Sequence, residues 1–311
     1  MPESAGLLRR GLKLSHLRLL AAVADTGQVG LAAERLGIAQ PAASRLMAEA
    51  ERISGQPLHV RAGRGIGLTP VGMAFARRAT RVLTELRDAE REIVEIGSGG
   101  SGHVRIGSVT GPALDRVLPA LRLARLALPG VTAEVIVGPS DLLGQQLLSG
   151  RVDFVIGRMP EGLEGELTLS DPIDSEPVTL MVRRGHRLAT QPGVTPAHLM
   201  DYDWVMPPAQ ALLTRAVMAR LSVLGLPAPP QRLATASFLL TLALVQQSNA
   251  IAPLARAVCD RFATGPEAAY AVLPVDLGIE VEPYGMLKRA NAILTPVAQR
   301  LADLIVAGVP A

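Results

Sequence analysis

Three short segments near the amino terminus repeat apolar residues at helical spacing, and each one ends sharply. The first has Ser15 as its predicted N-cap, ends at Gly27, and carries apolar residues at Leu17, Leu20 and Ala24. The second spans 31–36, and the third begins at Gln40. The apolar face of the third segment consists of Ala43, Leu46, Met47, Ala50 and Ile53. This pattern predicts a helix-turn-helix.

Two short extended stretches follow, at 57–60 and 66–69, joined by a Gly-rich basic segment at 61–65. Two paired strands with a basic tip that follow three helices in the sequence are typical of a winged helix-turn-helix. We therefore predict a DNA-binding domain over residues 1–69.

One long helix is predicted from Pro70 to Ile96, with no Gly after Gly72. Its apolar residues alternate spacings of four and three, as in a coiled coil. At 1.5 Å per residue the helix is about 40 Å long. We predict a dimerisation and linker helix over 70–96, and the alternative is a helix packed on its own domain. The predicted dimer seam consists of Phe75, Ala79, Val82, Leu86, Ala89 and Ile93.

The Gly- and Ser-rich segment 97–102 ends this helix and is predicted to be a hinge. It matches G-x-G-x-x-G, but it follows a helix and precedes a strand, the reverse of a dinucleotide-binding loop. Strands and helices then alternate, which predicts parallel strands covered by helices, in one large sheet or two small ones. The strands are predicted at 103–109, 131–137, 152–157, 178–182, 202–206, 232–235 and 281–288, and the helices at 112–127, 141–148, 209–224, 238–247 and 296–307.

The composition excludes several classes of protein. The chain has 311 residues, 49% of them hydrophobic and 19% charged, which is enough for two or more packed domains and too apolar for a disordered chain. Its apolar runs fall short of the ~18 residues that a membrane helix needs. His16 and Arg18 interrupt what would be the core of a signal peptide, so we expect a cytoplasmic protein without a membrane partner. A single cysteine, Cys259, excludes an internal disulfide.

Positive charge is concentrated in the amino-terminal part of the chain. Residues 1–84 contain 12 Lys and Arg against 5 Asp and Glu, although the net charge of the whole chain is only +3. A surface of this kind suits phosphates, because binding to them releases condensed counterions. The basic region thus supports double-stranded DNA as a partner.

The amino-terminal motifs resemble those of the LysR-type transcriptional regulators. The resemblance is carried by Leu17, Val23, the segment Ala32-Ala33-Glu34-Arg35-Leu36, the segment Gln40-Pro41-Ala42-Ala43-Ser44-Arg45, and Leu58, Arg61, Arg64, Leu68-Thr69 and Gly72. It continues through 150–157 and 249–253. Within the family, the segments 107–114 and 140–143 are similar to the branch of the galactose-binding protein regulator.

The resemblance implies an α plus α/β protein: a winged helix-turn-helix, a long linker helix, and a two-lobed effector domain like the periplasmic binding proteins. Lobe I would comprise about 103–174 and 276–311, and lobe II about 175–275. The implied function is regulation of transcription, in which a sugar or small organic acid bound between the lobes modulates promoter binding. The implied partners are promoter DNA, the effector, further copies of the chain in a homodimer or homotetramer, and RNA polymerase.

The third helix and the wing supply the candidate DNA contacts. Gln40 suits adenine, Arg45 suits guanine, and Ser44 suits a base or a phosphate, with Pro41 in the same first turn. Arg61 and Arg64 on the wing suit phosphates or the minor groove. The alternatives are helix capping by Gln40 and Ser44, and a solvated charge pair on the wing. The sequence departs from the family pattern at Gly30, Ala39, Ala50, Ser54 and His59.

The implied effector cleft draws on both lobes. Turns that lead into helix N-termini favour anions or hydroxyl-rich ligands. Ser140 could instead be an N-cap, and Arg158 could bind a carboxylate ligand or form a salt bridge. The candidate effector contacts are Ser108, Val109, Thr110, Ser140, Arg158, Pro207, Pro208, Ala209 and Ser237.

Rival functions find little support in the sequence. An enzyme carrying an accessory helix-turn-helix is the main alternative, together with a cytoplasmic small-molecule-binding α/β protein. A hydrolase would need a nucleophile elbow, and the sequence contains no G-x-S-x-G. Five scattered histidines show no metal-ligand spacing, so we expect no catalytic residues, metal or cofactor. Cys259 is expected to be a small buried residue.

Overall fold

The computed structural model describes residues 6–62, 65–170, 172–230 and 233–308. The chain divides into two compact units, with the main boundary between Ser98 and Gly99; the short segment 148–150 groups with the first unit. Within the described ranges, no helix combines the length and the apolar character needed to cross a membrane.

The first unit is a winged helix-turn-helix followed by a long helix. Its elements are α1 Leu14–Thr26, α2 Val29–Leu36, α3 Gln40–Ser54, β1 His59–Ala62, β2 Gly65–Leu68 and α4 Pro70–Gly97. The strands β1 and β2 pair antiparallel. Leu19, Leu20 and Met47 are fully buried in a core that also receives the first turns of α4. The predicted helix ends at Gly27 and Gly37 are confirmed, since both adopt the left-handed conformation that stops a helix.

The prediction that Ser15 caps α1 is wrong. The helix begins two residues earlier, at Leu14, and Lys13 is the N-cap. The amide of Lys13 donates to Nδ1 of the buried His16 at 3.0 Å, so an imidazole at the third helical position takes the role that Glu or Gln has in a capping box. The second helix also begins earlier than predicted, at Val29.

A tight contact joins the wing to α4. The Thr69 hydroxyl accepts a hydrogen bond from the amide of Gly72 at 2.9 Å and donates to the carbonyl of Pro57 at 2.8 Å. A Cβ at position 72 would collide with the carbonyl oxygen of Leu58. Only glycine therefore allows this approach without a shift of the backbone.

The second unit is an α/β domain. Its elements are β3 Gly102–Ser108, α5 Thr110–Pro112, a π-helical turn Ala113–Val117, α6 Leu118–Ala127, β4 Val131–Val137, α7 Ser140–Leu148, β5 Phe154–Gly157, β6 Leu167–Leu169, β7 Asp174–Arg183, α8 Arg187–Thr190, a 3₁₀ turn Pro196–Asp201, β8 Val205–Met206, α9 Leu212–Val223, β9 Leu233–Ala234, α10 Phe238–Gln247, β10 Ala252–Ala255, α11 Arg256–Phe262, β11 Tyr270–Val272, β12 Ile279–Arg289 and α12 Pro296–Ala307.

One mixed sheet runs through this domain in the order β10-β7-β12-β5-β3-β4. The strands β4, β3 and β5 are parallel, whereas β12 is antiparallel to both β5 and β7. Two separate cores form around this sheet. One includes Ile106 and Phe154 and defines lobe I; the other includes Leu180 and Trp204 and defines lobe II. The long strands β7 and β12 connect the lobes, and the predicted two-lobed α/β fold is confirmed.

Several element boundaries differ from the sequence prediction. The helix predicted at 209–224 begins at Leu212, and the strand predicted at 202–206 is limited to Val205–Met206. The predicted strand at 232–235 is found as Leu233–Ala234, and Arg232 lies outside the described residues. The short strands β6, β10 and β11 were not predicted, because three or four residues give too little alternation to detect.

Candidate DNA-binding and effector sites

The amino-terminal turns of α3 present the predicted DNA contacts on one exposed face. Gln40, Pro41, Ser44 and Arg45 are all exposed, whereas the opposite face of the helix is buried in the core. Nε of Arg45 donates to the carbonyl of Pro41 at 3.3 Å, which directs the side chain along the helix start. Polar groups in this arrangement can reach the edges of bases.

Ala39 is the N-cap of α3, and its side chain accepts no hydrogen bond. This is one of the positions at which the sequence departs from the family pattern. Within the described part of the first unit, no N-cap side chain therefore bonds to the first amides of α3. Such amides suit a phosphate oxygen, because the helix dipole also favours negative charge there.

The wing is positioned by a carboxylate that the sequence analysis did not identify. Oε1 of Glu51 accepts hydrogen bonds from the amides of Leu58 at 2.8 Å and His59 at 3.3 Å. It also lies 2.8 Å from Nδ1 of His59. Of the two predicted wing contacts, Arg61 lies in β1 opposite Ile66, and Arg64 lies outside the described residues.

The stripe of the long helix divides into two parts. Ala79 is buried in the core of its own unit, and Phe75 is half buried against that core. Farther along, Val82, Leu86, Ala89 and Ile93 are exposed, and Ile93 retains 73% of its surface. The apolar stripe that remains open to a partner therefore begins at Val82.

The predicted effector contacts of lobe I meet at the carboxyl ends of three parallel strands. Ser108 ends β3, Thr110 begins α5, and Ser140 begins α7 directly after β4. Ser108 is fully buried, and its hydroxyl donates to the carbonyl of Val109 at 3.0 Å. The Ser140 hydroxyl accepts from the amide of Arg158 at 3.2 Å.

The lobe II contacts lie at the starts of two helices. Pro207, Pro208 and Ala209 connect β8 to α9, and the carbonyl of Pro207 accepts from the Thr214 hydroxyl at 2.9 Å. Ser237 is exposed and caps α10, since its hydroxyl accepts from the amide of Leu240 at 3.3 Å.

Arg158 forms a buried ion pair. The residue is only 6% exposed, and Nη2 lies 2.5 Å from Oε2 of Glu176. Nε donates to the carbonyl of Glu282 at 2.5 Å, and the guanidinium lies 6.0 Å from the centre of the Tyr284 ring. Its charge is thus already balanced within the domain.

A cavity of about 450 Å³ lies beside this ion pair, against residues that the sequence analysis did not select. Asp115 and Tyr284 line it, with the Tyr284 hydroxyl 3.5 Å from Oδ2 of Asp115. Burial raises the pKa of Asp115, and burial together with the nearby Asp115 charge raises the pKa of Tyr284 to about 12. Both groups therefore favour their neutral forms more than free side chains do.

Comparisons with known proteins agree with this architecture. The family of bacterial regulatory helix-turn-helix proteins of the LysR type matches residues 14–73, and the LysR substrate-binding domain matches residues 97–310. The transcriptional regulator GbpR of Rhizobium radiobacter is 43% identical over 83% of this chain and 86% of its own. GbpR of Azospirillum brasilense is 32% identical over 94% of this chain and 85% of its own. The crystal structure of CbnR, a LysR family regulator, superposes with a TM-score of 0.63 at 22% identity, covering 94% of this chain and 98% of that one.

The chain belongs to the LysR family of transcriptional regulators. It combines a helix-turn-helix DNA-binding domain with an effector-binding domain of two α/β lobes. The function inferred from the sequence, a DNA-binding transcriptional regulator that responds to a small molecule, is confirmed.

Proposed function

We propose that this regulator responds to a neutral, hydroxyl-rich effector, a sugar or a close relative, bound between its two lobes. The main support for this proposal is the buried ion pair of Arg158, which is the one charged residue among the predicted cleft contacts. Since Glu176 balances its charge and its side chain is buried, Arg158 offers no free cation to a carboxylate ligand. The other predicted contacts are hydroxyl-bearing or apolar side chains.

Hydroxyl groups and helix starts in the predicted cleft suit such a ligand. Among the described residues the Thr110 hydroxyl has no hydrogen-bond partner, and no side chain caps the start of α5. Ser140 and Ser237 add further hydroxyls at helix starts. The names of the two GbpR relatives refer to a galactose-binding protein regulator, which also favours a sugar over an organic acid.

The proposed DNA contacts are those on the exposed face of α3 and on the wing. Gln40 and Arg45 would read adenine and guanine, with Pro41 and Ser44 close to the groove edge. Arg61 and Arg64 would bind phosphates or the minor groove and so provide affinity more than base choice. The exposure of the α3 face supports this assignment.

We infer that the chain assembles through two apolar surfaces. The exposed stripe of α4 from Val82 to Ile93 suits a two-stranded coiled coil. A second surface lies at the edge of the α/β sheet, where Leu126 and Val137 on α6 and β4 are exposed. Two independent surfaces allow a dimer of dimers. A tetramer would hold two pairs of DNA-binding domains on one promoter, within reach of RNA polymerase.

Effector binding would alter the spacing of these DNA-binding pairs. A ligand shifts the assembly only if its affinity differs between two arrangements of the lobes. Closure of the lobes around a sugar supplies that difference, because contacts from both sides form only in the closed state.

Thermal unfolding of the full chain with a panel of ligands tests the effector class. Monosaccharides, including galactose, are compared with small carboxylic acids of similar size. A state-specific sugar raises the melting temperature further as its concentration increases, and it changes the DNA footprint. If a carboxylic acid does so and no sugar does, the proposed effector class is wrong.

A further inference from the structure

Arg158 lies at the junction of the two lobes. It directly follows β5 of lobe I, and its guanidinium reaches both strands that connect the lobes. Nη2 binds Glu176 on β7, and Nε donates to the main-chain carbonyl of Glu282 on β12. One buried side chain therefore links the end of a lobe I strand to both connections with lobe II.

The contact on β12 coincides with an irregularity in the sheet. Val281 pairs with Glu176 and Tyr284 pairs with Asp174, so the register shifts between Val281 and Tyr284. Pro283 lies within this bulge and has no amide hydrogen to offer the ladder. Beyond the bulge, β12 pairs with β5 from Gly285 onward. Nε of Arg158 thus donates to the carbonyl of Glu282 at the point where β12 passes from one lobe to the other.

We propose that Arg158 is a positioning residue that sets the angle between the two lobes through its contacts with Glu176 and Glu282. These contacts tie the Arg158 backbone, which is fixed in lobe I next to Ser140, to both connecting strands, so a change in the angle at which β7 and β12 leave lobe I alters them. The two partners are well shielded, with side chains 7% and 14% exposed in Arg158 and Glu176. Water therefore compensates poorly when the Arg158 contacts break, and the intact ion pair favours one angle between the two lobes.

The geometry requires arginine. The guanidinium is a planar fork that donates in two directions at once, to a carboxylate and to a main-chain carbonyl. A lysine would retain the charge on one compact ammonium group and would not span both partners in the same way. A methionine would leave Glu176 as a buried carboxylate without its ion-pair partner.

Pulsed electron paramagnetic resonance on the full chain can measure the lobe angle. Spin labels are placed at two exposed positions, Gln145 on α7 of lobe I and Arg187 on α8 of lobe II, by substitution to cysteine. Cys259 is replaced by alanine, which removes the chain's only other thiol. Labelled chains are diluted with an excess of unlabelled chains, so that the signal reports distances within one chain.

The matched control is another arginine ion pair that lies wholly inside lobe I. Nη2 of Arg105 is 2.7 Å from Oδ1 of Asp153, which is buried. Arg105→Met should lower thermal stability and leave the inter-lobe distance distribution of the parent unchanged. Arg158→Met and Arg158→Lys should both broaden that distribution and shift its mean, with the larger effect for methionine.

Glu176→Gln keeps the shape of the partner and removes its charge. It tests the proposal independently if Arg158→Met does not fold. Broadening in Glu176→Gln supports the proposal even in that case. If Glu176→Gln and Arg158→Lys fold and both retain the parent distribution, Arg158 contributes only to stability and the proposal is overturned. The measurement needs no effector, so its outcome is independent of the proposed effector class.

Discussion

The Cα of Gly72 lies against the main-chain carbonyl of Leu58, in the space where any other residue would place its Cβ. This contact joins the first turn of α4 to the segment that leads into the wing. Thr69 bonds to both sides of the same junction. The wing and the linker helix therefore depend on one glycine for their relative position.

Gly72→Ala should destabilise the DNA-binding domain by roughly 1–3 kcal/mol, because the added methyl group forces the backbone apart. DNA affinity should fall with it, since the wing moves relative to α3. Denaturant unfolding and a DNA titration measure the two effects. Gly97→Ala is the control: it ends the same helix, and apart from its chain neighbours and the backbone of its own helix no described atom lies within 4 Å of the added carbon, so it should cause little change.

Arg45→Ala should reduce discrimination at one base pair by about 1–3 kcal/mol, because the exposed guanidinium of α3 would read a guanine. Arg64→Ala should weaken binding to all sequences alike, as expected for a phosphate contact. Binding of both variants to a set of singly substituted operators distinguishes the two roles. Equal losses on every operator would remove the base-reading role of Arg45.

Leu86→Asp combined with Ile93→Asp should reduce the association state of the full chain. Both positions belong to the exposed part of the α4 stripe, and a charge there would be desolvated in a coiled coil. DNA affinity should fall although no DNA-facing atom changes, because the dimer holds the half-sites together. Sedimentation gives the mass. Leu86→Met with Ile93→Val is the conservative control, and an unchanged mass for the aspartate pair would show that the stripe is not an interface.

The Cys259 thiol should be inert in the folded protein. It is 1% exposed, and burial raises its pKa from the ordinary 9.0 to about 11. A raised pKa means that the folded state favours the protonated thiol, so the stabilising contribution is complete below pH 9 and is lost as the pH rises towards 11. The free energy of unfolding should therefore fall more steeply over this range in the parent than in Cys259→Ala. Rapid reaction of the native protein with a thiol reagent at pH 8 would contradict this assignment.

The sequence predicted the order of the elements well, since glycines and apolar spacing are local signals. Gly37 ended α2 and Pro41 opened α3 as expected. Ser15 failed as a cap because the helix already begins at Leu14, where the amide of Lys13 donates to the buried His16, and this contact depends on burial as well as on residue type. The division of the α4 stripe at Val82 follows from the packing of the winged helix against the start of α4, and a heptad pattern contains no information on that packing.

The candidate effector site was predicted less completely for a similar reason. Strand ends and helix starts identified Ser140 and Thr110, because parallel strands bring those turns to one edge. The environment of Arg158 could not be predicted, since Glu176 and Glu282 are distant in sequence and meet it only through the pairing of β7, β12 and β5. The cavity likewise brings together residues that are distant in sequence, such as Asp115 and Tyr284.

Thr110→Val is the sharpest test of the effector cleft. The substitution retains the shape of the side chain and removes a hydroxyl that has no partner among the described residues. Loss of a bond to a buried ligand group should cost ~1–3 kcal/mol of binding free energy. Dimerisation and DNA affinity without effector should be unchanged, because the substitution lies in the effector domain.

Calorimetric titration of the full chain with a sugar that stabilises the parent measures this loss. Thr168→Val serves as the matched control, because Thr168 is an exposed threonine on β6 of the same domain and should bind like the parent. Unchanged affinity in Thr110→Val would mean that the turn after β3 only starts a helix. The effector would then be held by other residues, and the cavity lined by Asp115 and Tyr284 would be the next region to test by substitution.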